Sequence, residues 1–227
     1  MNRSGVGSVT IAVDDAHTIR GLLLAPQSAR ACYVLAHGAG AGMFHSFLDG
    51  VARGLAERDI ATLRYQFPYM ERGTKRPDPP TLAHATVRAA VAEAARLAPA
   101  LPLLAGGKSF GGRMTSQAQA DAPLPGVRGL AFLGFPLHPA GKPSETRAKH
   151  LADIHIPMLF VQGTRDKLAE WPLIEPVVKR LGASASLHPV QEADHAFHVL
   201  ARSGRNDQEV MSEIIDTLSA WIAAAAA

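Results

Sequence analysis

The distribution of apolar and polar residues divides the chain into short apolar runs and longer segments with helical spacing. SVTIAV alternates in the manner of a strand, and RGLLLA follows after a short turn, so the two are predicted to pair as a hairpin. CYVLAH is a continuous apolar run that ends in GAGAG, which indicates a central strand buried on both faces. Further strands are predicted at IATLRY, LPLLA, GLAFLGF, PMLFVQG and ASLHPV.

Helical segments fall between these runs. Apolar residues recur at helical spacing in FHSFLDGVARGLAERD, and TLAHATVRAAVAEAARLA predicts a second helix with Thr81 as its N-cap. Other helices are predicted in GGRMTSQAQA, over residues 170–181 and in QEVMSEIIDTLSAWIAAA. QFPYMERGTKRPDPP and PLHPAGKPSETRAKHL are predicted loops, the second with room for a short helix.

An antiparallel pair followed by alternating strands and helices predicts the α/β class, with a mostly parallel sheet and helices on both of its faces. The sequence of 227 residues shows no internal repeat and no linker-like stretch. We therefore expect a single domain over residues 1–227.

Composition and charge narrow the functional classes. The chain carries a net charge of +3 without a long Lys/Arg run, so we expect no nucleic-acid partner. No apolar run approaches the roughly 18 residues of a membrane span, and MNRSGVGSVT does not read as a signal peptide. The single cysteine, Cys32, lies in an apolar run and is predicted to be a buried thiol. We expect a cytoplasmic protein with no membrane partner; the sequence does not predict its oligomeric state.

The stretch AGGKSFGG places Ser109 among glycines, and three interpretations compete for it. A phosphate loop would need glycine five residues before Gly107, where the chain has Pro102. A helix N-cap accounts for the serine but not for Gly107 and Gly111 on either side of it. The pattern G-x-S-x-G between a strand and a helix indicates a nucleophile elbow, a sharp turn that exposes the serine oxygen.

A serine nucleophile needs a histidine base and a carboxylate, which follow it in the chain order Ser, acid, His in this kind of fold. Asp166 comes directly after the strand PMLFVQG, and His195 follows the last strand. His198 is the second choice for the base. The competing side chains precede the expected positions or fall in predicted helices; they are His138, His150, Asp153, Glu170 and Glu175, with Asp194 beside the chosen histidine.

An oxyanion hole is predicted from two backbone N–H groups. One belongs to Phe110, directly after the nucleophile, and the other to the loop HGAGAG, where Ala39 is the first choice and Gly40 the alternate. His37 is expected to brace this loop rather than transfer protons. No Cys/His cluster or H-E-x-x-H pattern is present, so no metal is expected.

These residues resemble a known family. LAHGAGAGMFHSFL, LRYQFPYMERGTKRPDPP, GGKSFGGRM, FPLHPAGKP and PMLFVQGTRD are similar to the dienelactone-hydrolase-related branch of the α/β-hydrolase superfamily, over about residues 20–220. The resemblance implies the α/β-hydrolase fold, a triad of Ser109, Asp166 and His195, and neither organic cofactor nor metal. Dienelactone hydrolases themselves use a cysteine nucleophile where this chain has Ser109.

We therefore expect a serine hydrolase that cleaves a small ester, lactone or thioester through an acyl-enzyme. Only residues 137–156 follow GFP before the next strand, so a minimal lid or none is predicted. Two alternatives stay open: a noncatalytic interaction module on the same scaffold, and an acyltransferase that uses the same residues.

Basic residues in the predicted mouth loops favour an anionic small-molecule substrate. Arg64 and Lys142 are the predicted substrate-binding residues, since Arg64 ends a strand on the ligand-facing side. The alternative is that the mouth cations are solvated or pair with Glu71, Asp78 and Glu145. The other cations of this set are Arg72, Lys75, Arg76, Lys108 and Arg113.

Overall fold

Eight strands form one sheet in the computed structural model of this chain, which describes residues 6–227. They are β1 (Val6–Ala12), β2 (Thr18–Leu24), β3 (Ala31–Ala36), β4 (Ile60–Tyr65), β5 (Leu103–Lys108), β6 (Val127–Leu133), β7 (Met158–Gly163) and β8 (Ala185–Val190). Their order across the sheet is β1-β2-β4-β3-β5-β6-β7-β8. The β1–β2 and β2–β4 pairs are antiparallel, and every other pair is parallel.

Helices cover both faces of this sheet. They are α1 (Ser46–Ala56), α2 (Pro68–Glu71), α3 (Pro80–Leu97), α4 (Phe110–Asp121), α5 (Trp171–Arg180) and α6 (Asp207–Ala226). Apolar residues of α1 and α6 pack into one buried cluster, and those of α3, α4 and α5 pack into a second cluster on the opposite face. The predicted mostly parallel sheet between two helical layers is confirmed.

The continuous apolar runs became the inner strands because both of their faces are covered. Every residue of β3, β4, β5 and β7 is buried. In α1, the stripe of Leu48, Val51 and Leu55 faces the sheet. Asn206 begins α6 with a reciprocal capping box to Glu209.

Three local predictions differ from the structure. Thr81 lies inside α3, which begins at Pro80 without a side-chain cap, because proline fits the first helical position. β5 continues past LPLLA to Lys108, since its two glycines pair with β3 and β6. The proline-rich segment after β4 contains the short helix α2.

The connection between β6 and β7, residues 134–157, contains only the 3-10 helix Thr146–Asp153, in keeping with the expected minimal lid. Within residues 6–227, no helix combines the length and apolar character that crossing a bilayer requires. The expectation that the chain start is not a signal peptide concerns in part residues 1–5, which lie outside the described residues.

Candidate active site

Ser109 occupies the tight turn from β5 into α4. Its φ of 49° and ψ of −115° lie in a region that residues with a side chain rarely adopt. The Ser109 N–H donates to Leu133 O at 3.0 Å, and its carbonyl accepts from Arg113 N–H at 3.1 Å. These bonds hold the strained residue between the sheet and the first turn of α4.

Glycine is required on both sides of Ser109 because β3 passes very close. A Cβ atom at Gly107, where φ is +151°, would lie 2.3 Å from Ala36 O. One at Gly111 would lie 2.6 Å from both Ala36 Cβ and His37 O. Real Cβ atoms do not approach other atoms this closely, so the spacing G-x-S-x-G has a steric cause here.

Ser109, His195 and Asp166 form one hydrogen-bonded chain. Ser109 Oγ lies 2.8 Å from His195 Nε2, and His195 Nδ1 lies 2.7 Å from Asp166 Oδ2. Asp166 is 1% exposed, and it also accepts from Gln162 Nε2 at 2.6 Å and from Leu168 N–H at 2.8 Å. A carboxylate held in this way orients the imidazole so that Nε2 can accept the serine proton.

Hydrogen bonds within the histidine loop, residues 191–198, hold its backbone and so position His195. The Asp194 carboxylate accepts from Ala196 N–H at 2.8 Å and from His198 N–H at 3.0 Å. Gly163, at the end of β7, lets this loop approach, because a Cβ there would lie 2.4 Å from Ala193 O. The loop is therefore a tight turn seated directly on the sheet.

The second-choice base, His198, lies elsewhere. Its Nδ1 contacts the Asp207 carboxylate at 2.8 Å, and its side chain is 55% exposed. The hydrogen bond to Asp207 raises the pKa of His198. The structure thus brings His195, and not His198, into contact with Ser109.

A second serine–histidine contact, which the sequence did not predict, lies on α4. Ser116 Oγ is 2.8 Å from His150 Nε2, but the hydroxyl donates its hydrogen to Arg113 O at 2.9 Å. Burial, followed by the nearby Arg113 charge, lowers the pKa of His150 to about 4. Among residues 6–227, no Asp or Glu forms an ion pair with His150, so no carboxylate orients its ring. The Ser116 hydroxyl is also already bonded to Arg113 O, which sets this pair apart from Ser109 and His195.

The glycine loop, residues 37–42, lies against the nucleophile. A Cβ at Gly38 would lie 3.7 Å from Ser109 Cβ. Gly40 N–H already donates to Tyr69 Oη at 3.1 Å. The N–H groups of Ala39 and Phe110 have no acceptor among the described residues, which leaves them able to bind a ligand oxygen. Of the two N–H groups predicted as alternatives for the second donor, that of Gly40 has an acceptor in the protein and that of Ala39 has none among the described residues.

His37 braces this loop. It is fully buried, its Nδ1 donates to Gly38 O at 2.8 Å, and its Nε2 accepts from Phe67 N–H at 3.1 Å. Burial lowers the pKa of His37 to about 4. The neutral ring thus connects the end of β3 to the segment after β4 through two hydrogen bonds.

Asp78 also supports the glycine loop, through α2. It was expected only as a possible surface ion-pair partner, but it is buried. Asp78 Oδ2 accepts from Tyr69 N–H at 2.8 Å, and Asp78 Oδ1 pairs with Arg72 at 2.5 Å. Asp78 thereby fixes α2, and α2 presents the Tyr69 hydroxyl to Gly40. The sequence feature that could have indicated this support is the RPDPP segment, which contains Asp78.

A cavity of about 350 Å³ opens over Ser109. Its wall is mainly apolar, and the polar exceptions are Lys108, Ser109, His195 and His45; the remaining lining residues are Gly38, Ala39, Ala41, Phe47, Leu48, Leu168 and Ala196. A neighbouring groove of about 330 Å³ begins where Phe47 stacks on Phe197, with ring centroids 5.4 Å apart. The space suits a small acyl group.

The two predicted substrate-binding cations do not line this cavity. Arg64 is 2% exposed, and its Nη1 lies 3.1 Å from Asp49 Oδ1, because α1 places that carboxylate over the end of β4. Lys142 is exposed in the loop after β6. Of the basic set, the wall includes only Lys108.

The other mouth charges are distributed among protein partners. Arg72 pairs with Asp78, as the alternative interpretation anticipated. Glu71 and Glu145 instead pair with Arg20 and Arg180. Across residues 6–227, no three His, Cys, Asp or Glu side chains are grouped so that they could share a metal ion.

Comparison with known proteins agrees with the observed fold. A sequence model of the family described as "Alpha/beta hydrolase domain" matches residues 29–223. The fold is similar to that of a dienelactone hydrolase from Anabaena variabilis, with a TM-score of 0.76, 20% identity and 96% of each chain covered. It is also similar to XC6422 from Xanthomonas campestris, described as an a/b serine hydrolase without lid, with a TM-score of 0.73, 17% identity, and 96% of this chain and 95% of that chain covered.

An esterase domain of a Rhodothermus marinus protein is a third such structure. It has a TM-score of 0.73 and 15% identity, and the match covers 96% of this chain and 98% of that one. At these identities the likeness concerns the fold.

Proposed function

Because this chain belongs to the alpha/beta hydrolase family, we propose that it is a serine hydrolase that cleaves a small ester, lactone or thioester. The observation that carries the proposal is the chain of contacts from Ser109 Oγ through His195 to the buried Asp166. It begins at a strained turn that presents the serine oxygen beside two unengaged backbone donors.

In the proposed mechanism, Ser109 Oγ attacks the substrate carbonyl carbon while His195 Nε2 takes the hydroxyl proton. The N–H groups of Phe110 and Ala39 hold the negative oxygen that forms. Collapse of the intermediate breaks the bond to the alcohol or thiol, which leaves with the proton from His195. Water then attacks the acyl-enzyme with His195 as base, releasing the acid and restoring Ser109. Asp166 orients the imidazole and stabilises its cation throughout.

The cavity supports a small substrate whose acyl group is largely apolar. Its wall is built mainly of Gly, Ala, Leu and Phe side chains around one ammonium group, Lys108. Arg64 is not available to a substrate carboxylate, since its charge is already paired with Asp49. For the cellular compartment we propose the cytoplasm, since the single cysteine, Cys32, is a free buried thiol and disulfides are typical of oxidising compartments.

The deciding experiment combines a fluorophosphonate probe with a panel of short esters and thioesters. The wild-type protein is expected to label at Ser109 and to turn over part of the panel, whereas Ser109→Ala should fold normally and lose nearly all of both, because the covalent intermediate needs the hydroxyl oxygen. Ser116→Ala is the matched control and should label like wild type, since that hydroxyl is bonded to Arg113 O.

The other readings are outcomes of the same experiment. A folded wild-type protein that neither labels nor turns over any panel member would identify a noncatalytic module. Faster product formation when an alcohol competes with water would identify an acyltransferase. A carboxylate-ended ester paired with its methyl-ended analogue shows whether an anionic group improves kcat/KM.

A further inference from the structure

Lys108 stands inside the elbow, directly before Ser109, and its ammonium group lies under the histidine loop. The side chain is only 9% exposed. Its Nζ donates to the backbone carbonyl of His195 at 2.5 Å and lies 5.1 Å from the centroid of the Phe197 ring. Lys108 therefore contacts the main chain of the residue whose ring faces Ser109.

The hydrolytic steps give Lys108 no role, yet its position is costly for a charge. An ammonium group taken out of water loses hydration, which an ion pair normally offsets. Among residues 6–227, no Asp or Glu forms an ion pair with Lys108. The slot is also tight, because a Cβ at Gly134, where φ is +67°, would lie 2.9 Å from Nζ.

The charged and titratable groups around Lys108 come from several elements. Asp166, after β7, and Asp194, in the histidine loop, attract the ammonium group electrostatically. The His195 ring and His45 share the cavity wall with it, and His37 ends the adjacent strand β3 as a neutral ring. Burial outweighs the two carboxylates and lowers the pKa of Lys108 to about 8.

We propose that Lys108 is a positioning residue for the proposed hydrolysis, whose side-chain amino group holds the His195 backbone so that the ring meets Ser109. The inference rests on the proposed function for its effect on rate. The structural observation behind it is the contact of Lys108 Nζ with the His195 carbonyl and the Phe197 ring.

Deprotonation of Lys108 should stabilise the folded protein, because burial lowers the pKa of the amino group to about 8. Unfolded lysine titrates near 10.5, so the unfolded state binds more protons between pH 8 and 10.5, and stability should rise across that window.

Lys108→Met tests the proposal, since methionine fills a similar slot without charge or donor. The variant should lose about 10- to 100-fold in kcat at pH 7 with little change in KM, because a small displacement of the base costs rate rather than binding. Its Tm at pH 7 should equal or exceed that of wild type, because a buried charge is removed. Lys179→Met, at an exposed position on α5, is the control and should keep the wild-type kcat.

A second readout does not require activity. The amides of Asp194 and Phe197 bond within the histidine loop, to His198 O and Asp194 O, and their hydrogen-exchange protection reports whether that loop is held. At the same pH, protection should be lower in Lys108→Met than in wild type. Equal protection in both proteins, or an unchanged kcat in Lys108→Met, would overturn the inference. A wild type that fails to label, while Lys108→Met loses loop protection as expected, would instead refute the proposed function alone.

Discussion

Ser109 holds a backbone conformation that costs free energy, and the surrounding contacts keep it there. Its φ of 49° is maintained by a strand carbonyl on one side and the first turn of α4 on the other. The side chain that it exposes meets a histidine whose other nitrogen is fixed by a buried carboxylate. The strained backbone and these hydrogen bonds together hold Ser109 Oγ against the His195 ring.

The choice between two neighbouring histidines gives a prediction at this scale. His195→Ala should lower kcat by at least about 10³-fold, because members of a Ser-His-Asp set act as a unit. His198→Ala should leave kcat near the wild-type value, since that ring pairs with Asp207 at the surface. Steady-state kinetics on the best panel ester decide between them. An inactive His198→Ala beside an active His195→Ala would contradict the assignment.

The elements act mainly through close approach between backbones. β3 runs so near the elbow that only glycine fits at positions 107 and 111, and the end of β7 admits the histidine loop only at Gly163. On the far side, α2 holds Tyr69 against the glycine loop while Asp78 holds α2. These packed connections, rather than a lid, shape the cavity.

Gly111→Ala tests the packing of the elbow. The added methyl group would lie 2.6 Å from His37 O, so either the first turn of α4 or β3 must shift. We expect a loss of about 1–3 kcal/mol of unfolding free energy and slower probe labelling of Ser109. Gly7→Ala is the control, because a Cβ there meets only Leu23 O at 3.9 Å. Urea melts and labelling rates that match wild type in Gly111→Ala would remove the steric explanation.

Across the whole molecule, the parallel strands bring distant residues to one edge of the sheet. The loops that follow β3, β5, β7 and β8 supply His37, Ser109, Asp166 and His195 in turn. Two buried clusters on opposite faces of the sheet hold that edge in place. Several titratable groups are buried in the process, which links the stability of the whole fold to pH.

Stability should fall as the solution is acidified from about pH 6.5 to pH 4. Burial lowers the pKa of His37 to about 4 from the ordinary 6.5, so the unfolded state binds more protons throughout this window. His37 alone contributes at most about 3 kcal/mol to the loss. His150, whose pKa is also about 4, adds to it in the same direction.

Urea unfolding at several pH values measures this dependence. His37→Gln retains a hydrogen-bonding side chain without the titration, so its stability should fall less steeply between pH 6.5 and 4 than that of wild type. Identical slopes in the two proteins would show that His37 titrates alike in the folded and unfolded states.

The sequence by itself determined the eight strands, the five long helices and the order of the chemistry along the chain. Strand and helix periodicity is local, so continuous apolar runs and helical stripes identified the layers. The elbow glycines, Asp166 after β7 and His195 after β8 were selected by motif and chain order, and the structure brings all three side chains of the proposed triad together. Each of these signals depends on few neighbouring residues and on the succession of elements.

Only the tertiary structure decided where the other charged side chains go. Arg64 was predicted to face the ligand, but the packing of α1 on the sheet places Asp49 beside it, and the two form an ion pair. Asp78, taken as a surface partner, is buried beneath α2, and Lys108 reaches the backbone of a residue 87 positions later. The direction of a long side chain depends on which distant element packs beside it, and no periodicity along the chain encodes that.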